Sequence, residues 1–116
     1  MSRQLYNQRI KEAMSWLAEQ PDTIFLGQNI VYGGTAIADD LQNIPDNKKL
    51  EFPVAENLQI GVSTGMAING LVPVSVFPRW NFLLVATDQI VNHLDKMSSL
   101  SRGRCQPKVI IRVRSE

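Results

Sequence analysis

The sequence predicts an α/β protein with a three-layer α/β/α architecture and a mainly parallel sheet. Helical segments with one apolar face alternate along the chain with short apolar segments typical of buried strands. Strands that are separated by a helix pair in parallel through right-handed crossovers. The length of 116 residues, with 44% hydrophobic content, suits one small domain over residues 1–116 and is too short for two.

The N-terminal part is predicted as a helix, a strand and a long loop. Ser2 is the predicted N-cap of the helix, and Pro21 ends it. Residues 23–26 then form a short buried strand, which Gly27 ends. Residues 28–47 are rich in turn-forming residues, with one helical turn predicted near residues 37–41; loops of this length are uncommon in compact domains unless they serve a function.

The remainder alternates between helices and strands. A helix is predicted over residues 57–69, followed by a strand over 72–77. A further helix begins near Asn81, a polar loop covers residues 98–107, and an apolar strand covers 109–111. The count is therefore three apolar strands, which is a thin core for a domain that folds alone, so we expect a dimer or a larger assembly.

Composition excludes several classes of protein. The net charge is +1, with 12 basic and 11 acidic residues, which does not predict nucleic-acid binding. Lys108, Arg112 and Arg114 are interpreted as ordinary solvated residues at a strand edge, with a phosphate site as the less favoured alternative. Cys105 is the only cysteine and is interpreted as a free loop thiol. With neither a signal peptide nor an apolar run of membrane-spanning length, the prediction is a cytoplasmic protein, the mitochondrial matrix remaining open.

The most informative segment is the run from Phe52 to Asn57, which places Glu56 at the end of a probable strand and directly before a helix. The helix contains Gly61 and Gly65, which weaken it but suit a close approach to another backbone or to a ligand. Ligands of open α/β folds bind at the carboxyl edge of the sheet, where this glutamate is expected. On the residues alone, the structural explanation is favoured, in which Glu56 stabilises the positive end of the helix dipole.

Four segments in order resemble the pyrimidine-binding domain of thiamin-diphosphate enzymes of the transketolase superfamily. The resemblance is greatest to the beta subunit of the decarboxylating component of 2-oxoacid dehydrogenases. The matching segments are the strand and turn at residues 23–27, the Pro-Val-Ala-Glu turn at 53–56, the glycine-spaced helix with its following strand at 61–73, and Asn81-Phe82 with the helix at 86–96. Together they cover nearly the whole chain and imply a partial thiamin-diphosphate-binding fold.

The resemblance implies two cofactor-binding residues. Glu56 corresponds to the catalytic glutamate that hydrogen-bonds the pyrimidine ring nitrogen of thiamin diphosphate. Phe82 corresponds to the aromatic residue that stacks on the pyrimidine ring; without the resemblance, a core phenylalanine is an equally good interpretation. No metal ligand is assigned in this chain, because the family holds Mg²⁺ and the diphosphate on another domain or subunit. His93 is interpreted as a residue of the surface or of a subunit contact.

The chain also departs from the family pattern. It lacks the Gly-Asp-Gly and downstream Asn of the diphosphate half-site, and it lacks the histidine that follows the last strand in the family. Gln28 stands where related subunits often have an acidic residue that connects paired active sites. Leu58 replaces a common glycine, and Arg79-Trp80 is an unusual approach to the stacking position, so the substrate could differ from the common 2-oxoacids.

The resemblance therefore predicts the pyrimidine-binding part of a thiamin-diphosphate enzyme that decarboxylates a 2-oxoacid and transfers the acyl unit. Such a chain is expected to need a partner carrying the diphosphate half-site and to be inactive alone. Two alternatives remain at this point: a split transketolase-like subunit that transfers ketol units between sugars, and a non-catalytic module that keeps the fold and its interaction surface.

Overall fold

The computed structural model describes residues 2–114 and consists of helices around one parallel sheet. The strands are β1 (Thr23–Gly27), β2 (Lys49–Glu51), β3 (Val72–Phe77) and β4 (Ile110–Val113). The α-helices are α1 (Arg3–Glu19), α2 (Ala36–Asp40), α3 (Glu56–Ile68), α4 (Trp80–Leu83) and α5 (Met97–Leu100). The predicted α/β class and three-layer architecture are confirmed.

The four strands lie in the order β2-β1-β3-β4, and every neighbouring pair is parallel. The count of three strands is wrong, because β2 is a short strand that pairs with β1 between Phe25 and Gly27. Two of its three residues are charged and Leu50 is exposed, so it lacks the apolar run that marks a buried strand. It is nevertheless the strand expected before Glu56. Since all strands run the same way, their carboxyl ends meet at one edge of the sheet.

Helices cover both faces of this sheet. On the first, which we call the α1 face, Phe25, Val74 and Val76 form a buried cluster with residues of α1 and α2. On the other, the α3 face, Phe77 is buried with Ile60 of α3 and Ala86. Along β3, Val74 and Val76 therefore point to one side and Phe77 to the other, as the two-residue period of a strand requires.

The first helix is formed as the sequence predicts. The Ser2 side chain accepts a hydrogen bond from the Leu5 amide, with 3.2 Å between Oγ and N. Met14 is buried, and Ile10 and Leu17 pack against the α1-face cluster. Because a short turn connects α1 to β1, the helix runs antiparallel to the strand, and its first turn lies at the carboxyl edge of the sheet.

A buried glutamine attaches α3 to the sheet. Gln59 is 2% exposed, and its Nε2 donates to the carbonyls of Leu26 and Val76 at 3.3 and 3.0 Å and to Oγ of Ser75 at 2.9 Å. Gly27, the last residue of β1, lies against the same Val76 carbonyl. A side chain does not fit at this position, because a Cβ would lie 2.5 Å from the Val76 carbonyl oxygen. The carboxyl ends of β1 and β3 are therefore held together from the α3 face.

The single helix predicted from Asn81 onwards is wrong in detail. After α4 the chain forms a 3₁₀ turn at Leu84–Ala86 and a π-helical segment at Gln89–Leu94 before α5. The Thr87 hydroxyl donates to the Leu84 carbonyl at 2.7 Å, and the Asp95 amide donates to the Ile90 carbonyl, one residue further back than in an α-helix. Its apolar periodicity persists, since Leu83 and Ile90 both pack on the α3-face cluster.

Within residues 2–114, none of the helices has the length and apolar character needed to cross a lipid bilayer.

Candidate functional site

The structure places Glu56 and Phe82 at the same edge of the sheet. Glu56 begins α3 shortly after β2 ends at Glu51, and Phe82 lies in α4 shortly after β3 ends at Phe77. The two strands flank β1, and Gly27 is level with Glu51, the last residue of β2, and with Val76, the last but one of β3. Both residues also lie on the α3 face, because α3 packs against the helical segment that follows α4. The edge expected from the sequence therefore carries both candidate residues.

Glu56 has an uncommitted carboxyl group. It is half-buried at the first turn of α3, and its side chain makes no hydrogen bond or ion pair with any residue that the structure describes. The N-cap position, Ala55, supplies no side-chain cap to the helix. The amides of the first turn are thus close to a carboxylate that retains its full capacity to bond a ligand.

Phe82 is half-buried but does not belong to either buried cluster of the described chain. Its neighbour Leu83 instead packs on the α3-face cluster. Beside it lies an apolar cavity of about 510 Å³ lined by Trp80, Leu83 and Ile90 together with residues of β4, and neither Glu56 nor Phe82 lines it. Within residues 2–114, Phe82 is therefore not fixed in a buried cluster.

The two glycines of α3 differ from the expectation of a close approach. A Cβ at Gly61 would lie 3.5 Å from Oε1 of Gln89, which is ordinary van der Waals contact, and one at Gly65 would meet no atom within 4 Å. The buried face of the helix is formed by Gln59, Ile60, Ser63 and Thr64 instead. Within the described chain, neither glycine is required by a neighbouring backbone.

Glu51 also lies at the carboxyl edge of the sheet, and its role was not predicted from the sequence. Its carboxylate accepts hydrogen bonds from the backbone amides of Asn29 at 2.7 Å, Ile30 at 3.0 Å and Val31 at 3.2 Å. It therefore fixes the start of the long loop directly after β1, where Asn29 has a left-handed φ of 57°. The signal available was weak, since a charged residue at the end of a short strand resembles any exposed one.

The remaining candidates differ in exposure. Gln28 follows β1 and is half-buried, whereas Leu58 and Trp80 are exposed, at 57% and 62%. His93 is exposed, and its Nε2 lies 3.8 Å from a carboxylate oxygen of Asp88. Cys105 is a half-buried free thiol in the loop before β4, as predicted. Residues 2–114 contain no group of three or more His, Cys, Asp and Glu side chains placed to hold a metal ion.

The interpretation of the C-terminal basic residues as solvated is wrong for two of the three. Arg112 lies on β4 and Arg114 directly follows its last residue, and both contact Oδ2 of Asp40 in α2, the second at 3.3 Å. The side chains are 12% and 22% exposed, and that of Asp40 is 5% exposed. Lys108 alone is exposed. Residues two apart on a strand share a face, so both arginines reach the same carboxylate on the α1 face.

Comparison with known proteins gives a consistent set of relatives. No protein-family model matches the chain. It is 32% identical over 116 residues to "Pyruvate dehydrogenase E1 component subunit beta" from Gracilaria tenuistipitata var. liui, covering 97% of this chain and 36% of that protein. It is 29% identical over 107 residues to the mitochondrial "Pyruvate dehydrogenase E1 component subunit beta" from Caenorhabditis elegans, covering 89% of this chain and 30% of that protein.

A third relative carries a different substrate in its name. The "3-methyl-2-oxobutanoate dehydrogenase subunit beta" from Mycobacterium tuberculosis (strain CDC 1551 / Oshkosh) is 37% identical over 65 residues, covering 56% of this chain and 19% of that protein. The chain thus spans only about a third or less of the length of each of these proteins. The chain is thus similar to proteins named as beta subunits of pyruvate dehydrogenase E1 over 97% and 89% of its own length, and to one named as a 3-methyl-2-oxobutanoate dehydrogenase beta subunit over 56%.

Proposed function

We propose that this chain is the pyrimidine-binding part of a thiamin-diphosphate-dependent 2-oxoacid dehydrogenase. The observation that carries the proposal is the uncommitted carboxyl group of Glu56 at the sheet edge that also presents Phe82. A half-buried carboxyl with no internal partner is free to bond a ring nitrogen, and an aromatic side chain outside the core is free to stack on the ring. The residues present therefore fit a pyrimidine ring, and the named relatives support the same assignment.

Thiamin diphosphate, when bound, supplies the carbon nucleophile that adds to a 2-oxo group and accepts the electrons left by decarboxylation. The contribution of this chain is to bind and orient the pyrimidine half. The Glu56 carboxyl holds or accepts a proton at its own oxygen, which couples the ring nitrogen to acid–base chemistry. Phe82 fixes the plane of the ring and excludes water from one side of it.

The diphosphate half is proposed to lie on a partner chain or domain. The sequence has no Gly-Asp-Gly segment with a downstream Asn, and the described residues form no acidic cluster for Mg²⁺. Two further features support a composite site: the 510 Å³ apolar cavity beside Phe82 is open, and Trp80 and Leu84 near it are 62% and 63% exposed. Exposed apolar surface of this kind is typical of an interface. The complete assembly would decarboxylate a 2-oxoacid and pass on the acyl unit.

Isolation from the native source under gentle conditions, followed by native mass spectrometry, tests the proposal directly. We expect a complex that contains a second, larger chain together with thiamin diphosphate and Mg²⁺. A homo-oligomer that neither contains nor takes up thiamin diphosphate would contradict the proposal and favour a non-catalytic module.

The role of Glu56 is tested in that assembly by Glu56→Gln. The amide cannot exchange a proton with the ring nitrogen, so we expect turnover to fall by about two orders of magnitude or more while folding is unchanged. Thermal unfolding and cofactor binding by calorimetry separate a chemical loss from a structural one. Glu19→Gln, at the opposite end of α1 from this edge, is the matched control. Unchanged turnover in Glu56→Gln would remove Glu56 from the site.

A further inference from the structure

The α1 face has its own cavity at the carboxyl edge, away from Glu56. It has a volume of about 570 Å³ and lies between the first turns of α1, the start of α2 and the end of β4. Three arginines line it: Arg3 from α1, Arg112 from β4, and Arg114, which directly follows β4. Tyr6 and Asn7 of α1 add a hydroxyl and an amide. The described lining residues therefore provide many hydrogen-bond donors, and none of them carries a carboxylate.

Among residues 2–114, the charges around this cavity do not balance. Arg112 and Arg114 share one carboxylate, that of Asp40, and within residues 2–114 no second acidic side chain pairs with either of them. Both guanidinium groups are largely buried, at 12% and 22% exposure. Buried charge is costly unless it is compensated. Within the part of the chain that the structure describes, an excess of one positive charge remains, to which Arg3 adds another.

One donor is also left without a partner. Nη1 of Arg112 is buried and makes no hydrogen bond to any described residue, although Nη2 of the same side chain contacts Asp40. A buried polar group that loses its bond to water and gains none in return destabilises the fold, and more so if it is charged. The ion pair with Asp40 therefore does not satisfy all of the buried donors of Arg112.

We propose that this cavity binds a small oxyanion, a phosphate or a carboxylate group. Guanidinium groups match such anions geometrically through paired hydrogen bonds, and three of them converge here. The charge of the anion would compensate the excess that Asp40 leaves. The site lies on the opposite face of the sheet from Glu56 and Phe82 and does not depend on their assignment.

Calorimetric titration of the full-length protein with inorganic phosphate tests the proposal, with sodium chloride at matched ionic strength as the reference. We expect saturable binding with one anion per chain that sodium chloride does not reproduce. Competition by acetate identifies a carboxylate as an acceptable source of the anion, and its failure to compete identifies phosphate; both results support an oxyanion site. Absence of saturable phosphate and acetate binding overturns the proposal.

Arg3→Gln locates the site without disturbing the buried ion pair, because Arg3 is exposed and does not contact Asp40. We expect the dissociation constant for phosphate to rise about tenfold, which corresponds to about 1.4 kcal/mol. Arg9→Gln is the matched control: it is on the same helix, 68% exposed and paired with Glu12, and should leave binding unchanged. Equal weakening by both variants, or no weakening by Arg3→Gln, would show that the anion binds elsewhere.

Discussion

Two glutamates on either side of the same short connection, Glu51 and Glu56, have opposite relations to the fold. Both are half-buried and both lie at the carboxyl edge. The Glu51 carboxylate accepts from three backbone amides of the loop that follows β1. The Glu56 carboxyl bonds to no described residue. A carboxylate whose hydrogen-bonding capacity is used internally organises the protein, whereas one left free at the edge where open α/β folds bind ligands is available for chemistry.

The largest expected effect concerns Gln59, whose hydrogen bonds attach α3 to the sheet at the edge that carries both glutamates. Gln59→Leu should lower the free energy of unfolding by about 3 kcal/mol, because the Leu26 and Val76 carbonyls and the Ser75 hydroxyl lose a buried donor together. Urea denaturation measures this change. Asn57→Leu, at an exposed position of the same helix, is the control and should change stability little. If Gln59→Leu is as stable as the parent, the polar attachment of α3 does not hold the edge together.

A smaller effect separates the glutamates themselves. Glu51→Gln should cost about 2 kcal/mol of unfolding free energy, because an amide nitrogen replaces one of the two oxygens that accept from the loop. Partial exposure of these bonds keeps the cost below that of a fully buried network. Glu56→Gln is the matched variant and should change stability by less than about 0.5 kcal/mol. Equal stability losses in the two variants would remove the distinction.

The smallest expected effect concerns α3, the glycine-spaced helix. Gly65→Ala should raise the free energy of unfolding by about 0.5–1 kcal/mol, because alanine is the better helix former and its Cβ would meet no atom within 4 Å. Gly70→Ala is the contrasting variant. Gly70 has a φ of 94°, which disfavours alanine, so this variant should be less stable than the parent protein. A destabilised Gly65→Ala would indicate that a surface outside residues 2–114 packs against the helix.

Sequence reasoning was accurate wherever a pattern is local. Ser2 as N-cap, the strand at 72–77 and the start of α3 within one residue of the predicted position follow from capping chemistry and from the period of apolar residues. It was inaccurate where the pattern is short or mixed. β2 has three residues and no apolar run, and the helical segment after α4 keeps its apolar stripe while its hydrogen bonds shift by one residue.

What the sequence by itself determined is the alternation of helices and strands and, with it, the placement of Glu56 and Phe82 after strands whose ends share an edge. These follow from periodicity and turn chemistry over neighbouring residues. Only the tertiary structure decided which polar groups meet. Glu51 bonds amides 20 to 22 residues away, and Arg112 reaches Asp40 across 72 residues. Such partners become neighbours only when the strands pair and the helices pack, so no local pattern records them.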